Sequence, residues 1–418
     1  MTRSEELNYV KDLARKYMEM ASGEEMHMRR KRWRDLYSLK KPDRPPIVCL
    51  DADWGQVTKE DMVCSDSVYR SLEATFKSRL CIFEMGDDTV FYPYIVVRHP
   101  WDRNILYWSA MWNWGVEFPG NHCKETGSVS LFIDPPIKDE KDLAKIHIPD
   151  AVEAIRLEKQ KLIEQKRVYD DIFQGIIPVR IVFTYCPVLG HLASLMMGLE
   201  TLMIKMAQEP AFVHALMKIL QEAELQFLDQ FDQARSWTDE SNCHGNGPNM
   251  FPESVKTTPA DVPCQVGDLW GRTESQEFQL ASPAMTEEFL VTYQKPIMER
   301  FKYTEYGCCE DLTRKLDAVM KIRNLRAIVN SPWTDLKTMA DRCRDQYVII
   351  WRQPFSEIMS AKDEHDIRAD VERGLQITRG CFRSVFCRDV NWNEVDNPPR
   401  RIRTWIHEAK RAAEMYAD

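Results

Sequence analysis

Apolar and polar positions along the second half of the chain fall into a repeated alternation. "VRIVFTY", just after Pro178, predicts a strand, and "LASLMMGLETLMIKMAQEPAFVHALMKILQEAELQFLDQF" a long helical stretch interrupted at Pro210. A polar, Gly/Pro-bearing segment at 236–267 follows. Then "MTEEFLVTYQKPIMERF" reads as a helix kinked at Pro296, leading to the strand "YTEYGCC". The same unit repeats three times: helix "LTRKLDAVMKI" to strand "RAIVNS", helix "DLKTMADRC" to strand "YVIIWRQ", helix "DIRADVERGLQIT" to strand "FRSVFCRD". A last helix, "RIRTWIHEAKRAAEMY", closes the pattern.

The first half is less regular. Residues 1 to about 40 read as charged helix, which the three prolines of "KKPDRPPIVCLDADWG" end before the apolar run Ile47 to Leu50, a first strand. Between about 80 and 135 the text is aromatic and alternates like hairpin strands, which predicts an insertion. Repeated strand–helix units with short connections imply a parallel sheet. No strand is followed by a GxGxxG turn, so the expected fold is α/β, a (β/α)8 TIM barrel rather than a dinucleotide-binding sheet. The expected organisation is a helical extension over 1–45 and a barrel over 46–418, carrying the insertion at about 80–135.

Charge and cysteine usage narrow the function classes. A formal net charge of -9 over 418 residues argues against nucleic acid or an anionic membrane as the main partner. The basic runs "RRKRWR" (29–34) and "PPRRIRTW" (398–405) read as solvated helix faces. Twelve cysteines are scattered without a CxxC pair, as in a reduced cytoplasmic protein. No apolar run reaches the roughly 18 residues of a membrane span, and the amphipathic N-terminus lacks a signal-peptide core. No Walker loop, GxSxG elbow or HExxH helix is present.

In a (β/α)8 barrel the chemistry gathers where strands end and helices begin. Those positions hold Cys308, Cys309 and Glu310; Ser331, Trp333 and Asp335; Trp351, Arg352 and Gln353; and Asp389 with Asn391. Thiolate beside carboxylate is a zinc environment, since a catalytic zinc takes about three protein ligands and keeps one position open. Neighbours in a strand face opposite ways, so only one of Cys308 and Cys309 looks inward unless the strand has already ended. The alternative is a pair of buried, inert thiols. "ESNCHGNGPNMF" offers Cys243, His244 and Asn246, as remote ligands or as an ordinary surface turn. Trp101, Tyr107, Trp108, Trp112 and Trp114 read either as a pocket wall or as core and subunit interface.

In order, "LKKPDRPPIV", "MMGLETLMIKMAQEPAFVHALM", "DLWGRTESQEFQLASPAMTEEF", "YGCCEDL", "LRAIVNSPWTD" and "RDVNWNEVDNPPRRIRTW" span nearly the whole chain. Together they resemble the uroporphyrinogen-decarboxylase-like proteins, specifically the corrinoid-dependent methyltransferase branch of O-demethylase type. The resemblance implies a barrel, often a homodimer, with its pocket at the C-terminal mouth. True decarboxylases of the family carry an Arg-rich segment after the first strand. Here the text is "CLDADWGQ", with Asp51 and Asp53, and such an acidic mouth argues against a porphyrinogen substrate.

Relatives that move methyl groups bind zinc through a His-x-Cys pair and a later cysteine. Here Cys308 matches the first cysteine, Tyr306 stands where the histidine is expected, and the later "WRQP" has no cysteine. A zinc site is then either rebuilt from Cys308, Cys309, Glu310 and His244, or lost. The implied reaction takes a methyl group from a methoxylated aromatic, or alternatively a methylated amine, to Co(I) of a partner corrinoid protein. No cobalamin-binding loop is present to hold the corrinoid in this chain. Glu310, Asp389 or the Tyr306 hydroxyl would supply a proton to the leaving group. His244, Asn246, Trp333, Trp351 and Arg352 would contact the donor. The rivals are a non-porphyrin decarboxylase or lyase, in which Arg352 binds a carboxylate, and a non-enzymatic binding barrel.

Overall fold

The computed structural model describes residues 1–98, 114–116, 120–122, 129–131, 134–182, 186–235 and 264–417. The chain opens with two helices, α1 (Arg3–Ser22) and α2 (Glu24–Tyr37), separated at Gly23. Thr2 starts α1 with a capping box closed by Glu5, satisfying amides that a helix N-terminus leaves unpaired. Strand β1 (Ile47–Cys49) follows the proline-rich break, and α3 (Ser67–Met85) starts on Asp66, whose carboxylate accepts from two backbone amides.

Among the described residues, eight strands run parallel in two groups. Strands β1, β6 (Trp270–Thr273), β7 (Tyr303–Tyr306), β8 (Leu325–Asn330), β9 (Val348–Arg352) and β10 (Phe382–Cys387) form a six-stranded sheet in the order β1-β10-β9-β8-β7-β6. Strands β2 (Ile95–Arg98) and β5 (Val179–Val182) pair with each other, and β3 (Gly120–His122) and β4 (Val129–Leu131) form a short antiparallel hairpin within the expected insertion. The arrangement is that of a TIM-like α/β fold. Ladder pairing among the described residues does not close it into a ring. At one gap the Asp88 amide donates to the Ile47 carbonyl (2.8 Å). At the other the Thr273 hydroxyl donates to the Pro187 carbonyl (3.0 Å).

Helices cover the outer face: α4 (Val152–Phe173), α5 (Leu189–Met197), α6 (Leu199–Gln208), α7 (Pro210–Gln233), α8 (Pro283–Thr286), α9 (Thr292–Met298), α10 (Leu316–Val319), α11 (Leu336–Cys343), α12 (Phe355–Ser360), α13 (Glu364–Ile377) and α14 (Pro398–Met415). The long run after β5 breaks at Gly198 as well as before Pro210. The helix around Pro296 is interrupted earlier than expected, by a π-turn at Glu287–Val291, and Pro296 stays inside α9. Strand β6, which lies in a stretch to which the sequence pattern assigns no element, is four residues long. No described helix is long and apolar enough to cross a membrane.

One sequence expectation is reversed. Arg29, Arg30 and Arg32 of "RRKRWR" are buried, not solvated. Arg30 donates to the carbonyls of Ala21 (3.0 Å) and Phe91 (3.1 Å), and Arg32 pairs with Asp43 and Asp88. The reason is position. Helix α2 lies against the strands, its Tyr37 ring meeting Trp270 at 5.2 Å and its Trp33 ring meeting Phe386 at 6.2 Å.

Candidate functional site

Register decides which side chains share the concave face. Arg272 pairs with Glu305 across β6 and β7, and Arg352 pairs with Phe386 across β9 and β10. Following the ladders through Ala327 and Val348 puts Arg272, Glu305 and Arg352 on one face. The opposite face meets helices: a Cβ on Gly271 would fall 2.5 Å from Phe301, and one on Gly374 of α13 would fall 1.9 Å from the Trp351 ring. Trp351 therefore packs on the helix side, away from the position proposed for it. Tyr306 also lies on that side, fully buried, its hydroxyl donating to Gln294 Oε1 of α9 at 3.0 Å. An alternation of two explains both, since each is one step out of phase with the inward-facing residues.

The cysteine pair escapes that alternation. Strand β7 ends at Tyr306, and Gly307 takes φ +113, where an added Cβ would press on Val329 at 3.1 Å. Beyond this turn Cys308 and Cys309 both stand half-buried, their sulfurs 3.6 Å apart. The strand has ended before the pair, so both thiols reach the same mouth.

Glu310 is buried and holds the turn together. One carboxylate oxygen accepts from the Ser275 amide (2.9 Å) and hydroxyl (3.2 Å), and the other from the Cys308 amide (2.8 Å). Its carbonyl accepts from Ser331 Oγ at 2.7 Å. Both oxygens are thus used in joining the ends of β6 and β7.

Arg352, with 2% of its side chain exposed, donates to the Cys308 carbonyl and pairs with Asp389. Its Nη1 also lies 3.6 Å from the Cys309 sulfur. Asp389 follows β10 in a left-handed conformation (φ 63), and its other oxygen sits 3.3 Å from Arg388 Nε. Arg272 faces Glu305 at 3.7 Å. The Cys308 thiol donating to Cys309, aided by the charges of Arg352 and Arg388 and opposed by burial, brings the Cys309 pKa down to about 5. The same sharing, with burial, pushes Cys308 up. Burial, with Glu277 and Glu310 nearby, pushes the Glu274 carboxyl well above its usual range. Glu277 in turn meets His191 Nδ1 at 2.8 Å.

The site thus unites Cys308, Cys309, Glu310, Arg352 and Asp389. Trp333 stands nearby in sequence after β8, largely exposed, its ring edge on Phe355. His244 and Asn246 lie outside the described residues, as does most of the aromatic cluster; Trp114 is described, and is buried against Phe227. Sequence reasoning missed Arg272, Glu274, Arg388 and the His191–Glu277 pair. The signal for the first two was the period-two "WGRTE", hidden by its glycine and polar residues. The mouth is also not simply acidic. Asp51 accepts from Trp392 Nε1 (3.2 Å), Asp53 accepts from Ser78 (2.5 Å), and three arginines stand among the strand ends.

A zinc ion needs about three protein donors. No group of three or more His, Cys, Asp or Glu poised for a metal occurs among the described residues. Two sulfurs are in place, but Glu310 turns both oxygens to hydrogen-bond donors, so the described residues do not make a zinc site.

No protein-family model matches the sequence. No curated protein matches it either. Among solved structures the chain is similar to a methyltransferase from Methanosarcina mazei, with a TM-score of 0.51 and 12% identity, over 92% of this chain and 98% of that one. The likeness extends through nearly the whole length of both molecules. At that identity it speaks for the fold, a TIM-like α/β architecture.

Proposed function

We propose that this protein transfers a methyl group from a methoxylated aromatic donor to the Co(I) of a corrinoid carried by a partner protein. One observation carries the reading: Arg272, Arg352 and Arg388 converge with the two thiols on one mouth. O-demethylation breaks the bond between methyl carbon and oxygen, and the electron pair stays on oxygen as an aryloxide. Guanidinium groups held in place before the reaction lower the cost of that developing charge. The buried Glu274, whose carboxyl burial and the neighbouring Glu277 and Glu310 push well above its usual range, is the acid proposed to deliver a proton to it.

The likeness to a protein described as a methyltransferase supports the same reading. Since the described donors do not complete a zinc site, no step is assigned to a metal. The test is a single turnover with reduced corrinoid protein and a panel of methoxyaromatics and methylamines, following the cobalt spectrum. Methylation of cobalt by a methoxyaromatic is the expected result; silence with every donor would refute the reading.

The arginine cluster equally favours one rival, a decarboxylase or lyase acting on a small carboxylic acid. Release of carbon dioxide without corrinoid, measured on the same samples, would mark it.

A further inference from the structure

We infer that Arg352 and Arg388, with Arg272 behind them, form a subsite for a carboxylate of the substrate, and that Asp389 occupies it when no substrate is bound. The inference rests on the reading of this mouth as the substrate site and names the class of molecule that enters: an anionic donor, not a methylammonium.

Four observations lead there. Two guanidiniums from the ends of β9 and β10 share one carboxylate, each taking a different oxygen of Asp389. The carboxylate is thus met by a positive charge at each oxygen, one from each arginine. Asp389 is the most exposed of the group, at 38% against 2% for Arg352 and 26% for Arg388. A carboxylate arriving from solvent therefore meets the rim of the cluster at Asp389. Third, Asp389 is held at φ 63, a conformation uncommon for residues other than glycine, and such strain gathers at functional positions. Last, the neighbouring cations crowd Arg388. Burial together with Arg352 and Arg272 weakens its hold on its proton, as expected where positive charges are gathered in advance of an anion.

Other described carboxylates near the mouth are buried or half-buried and already have partners. Glu310 is bound to Ser275 and Cys308, Glu274 accepts from the Gln276 amide, Glu277 meets His191, and Glu305 faces Arg272. A cationic donor would have to approach three guanidiniums, and among these described residues Asp389 is the exposed carboxylate beside them. An anionic donor replaces Asp389 with a carboxylate of its own.

Isothermal titration of the full chain with 2-methoxybenzoate, 2-methoxybenzamide and 2-methoxybenzylamine, whose charged or amide group sits beside the methoxyl oxygen so that one arginine cluster can meet both, tests this without requiring turnover. The benzoate is expected to bind about 10- to 100-fold more tightly than the amide or amine. Arg388→Gln should remove most of that preference, and Arg388→Lys should restore part of it. Asp389→Asn, which removes the competing charge, should tighten benzoate binding; a merely structural Asp389 would leave it unchanged or weaken it. Thermal melts of each variant identify any that fail to fold, and wild-type selectivity among the three compounds decides the question even then. Equal binding of amide and benzoate, preference for the amine, or no benzoate binding would overturn the subsite. Charge-selective binding without methyl transfer would uphold the subsite and refute the methyltransferase reading.

Discussion

At the scale of single residues, the mouth is governed by where β7 stops. Gly307 ends the alternation, so two adjacent thiols share a surface and acquire different acidities. Cys309 has its pKa lowered to about 5, chiefly because Cys308 donates to it. A depressed pKa means the thiolate is already present at neutral pH. After chelator treatment, iodoacetamide should alkylate Cys309 at a rate nearly constant above about pH 6.5, whereas an ordinary thiol of pKa about 8.5 gains tenfold per pH unit there. Arg352→Gln should restore part of the ordinary slope. Mass spectrometry of the modified peptide separates the two cysteines; a log-linear rise through pH 8 at Cys309 would contradict the assignment.

The string "YGCCE" marked this spot in the sequence, because cysteine and glutamate directly after a strand stand out. What it could not convey was partnership. Glu310 reads as a free acid or ligand until the Ser275 amide, thirty-five positions away, is seen to occupy it. Arg388 was overlooked beside Asp389, because only the fold brings it and Arg352 to the same carboxylate.

Among elements, legibility followed length and contrast. The strands of five or six residues, β8, β9 and β10, stand out as apolar runs between amphipathic helices and were readable. The four residues of β6, "WGRT", were not, since glycine and polar residues mask so short a strand. That glycine has a packing reason: Phe301 and Met298 of the following segment come within 2.7 Å of where its Cβ would be. Helix α13 shows the same close approach to β9. Gly374→Ala would drive a methyl group into the Trp351 ring, with ring atoms at 1.9 to 2.4 Å. The helix must shift, and overpacking of this kind costs about 1–3 kcal/mol, outweighing the gain of about 1 kcal/mol from alanine's helix propensity. Urea unfolding should show the variant less stable than wild type; an unchanged or higher midpoint would mean the helix moves freely.

For the molecule as a whole, the N-terminal helices belong to the packing of the sheet. Helix α2 lays Trp33 and Tyr37 against rings from β10 and β6, and its arginines enter the interior with their partners already in place. Asp88 is the junction. It accepts from Arg32 (2.5 Å), from Arg44 (2.6 and 3.0 Å) and from the Ile47 amide that begins β1 (2.8 Å). Burial raises its pKa, but Arg44 and Arg32 outweigh burial and hold it below the usual value. The stability this supplies is therefore complete above the unfolded carboxyl pKa of about 3.9 and is lost as pH falls through the lower folded value. Asp88→Asn removes the charge while keeping the shape, leaving Arg32 dependent on Asp43 and Arg44 buried without its carboxylate. Breaking a buried pair in this way costs about 3–5 kcal/mol, so the variant should unfold at markedly lower urea at pH 7. The gap between variant and wild type should narrow as pH falls from the unfolded carboxyl value of about 3.9 through the lower value at which folded Asp88 protonates. A gap that stayed constant across that range would assign the junction's strength to hydrogen-bond geometry alone, and a missing gap at pH 7 would mean the helices are fastened to the sheet by their aromatic rings without the ion pairs.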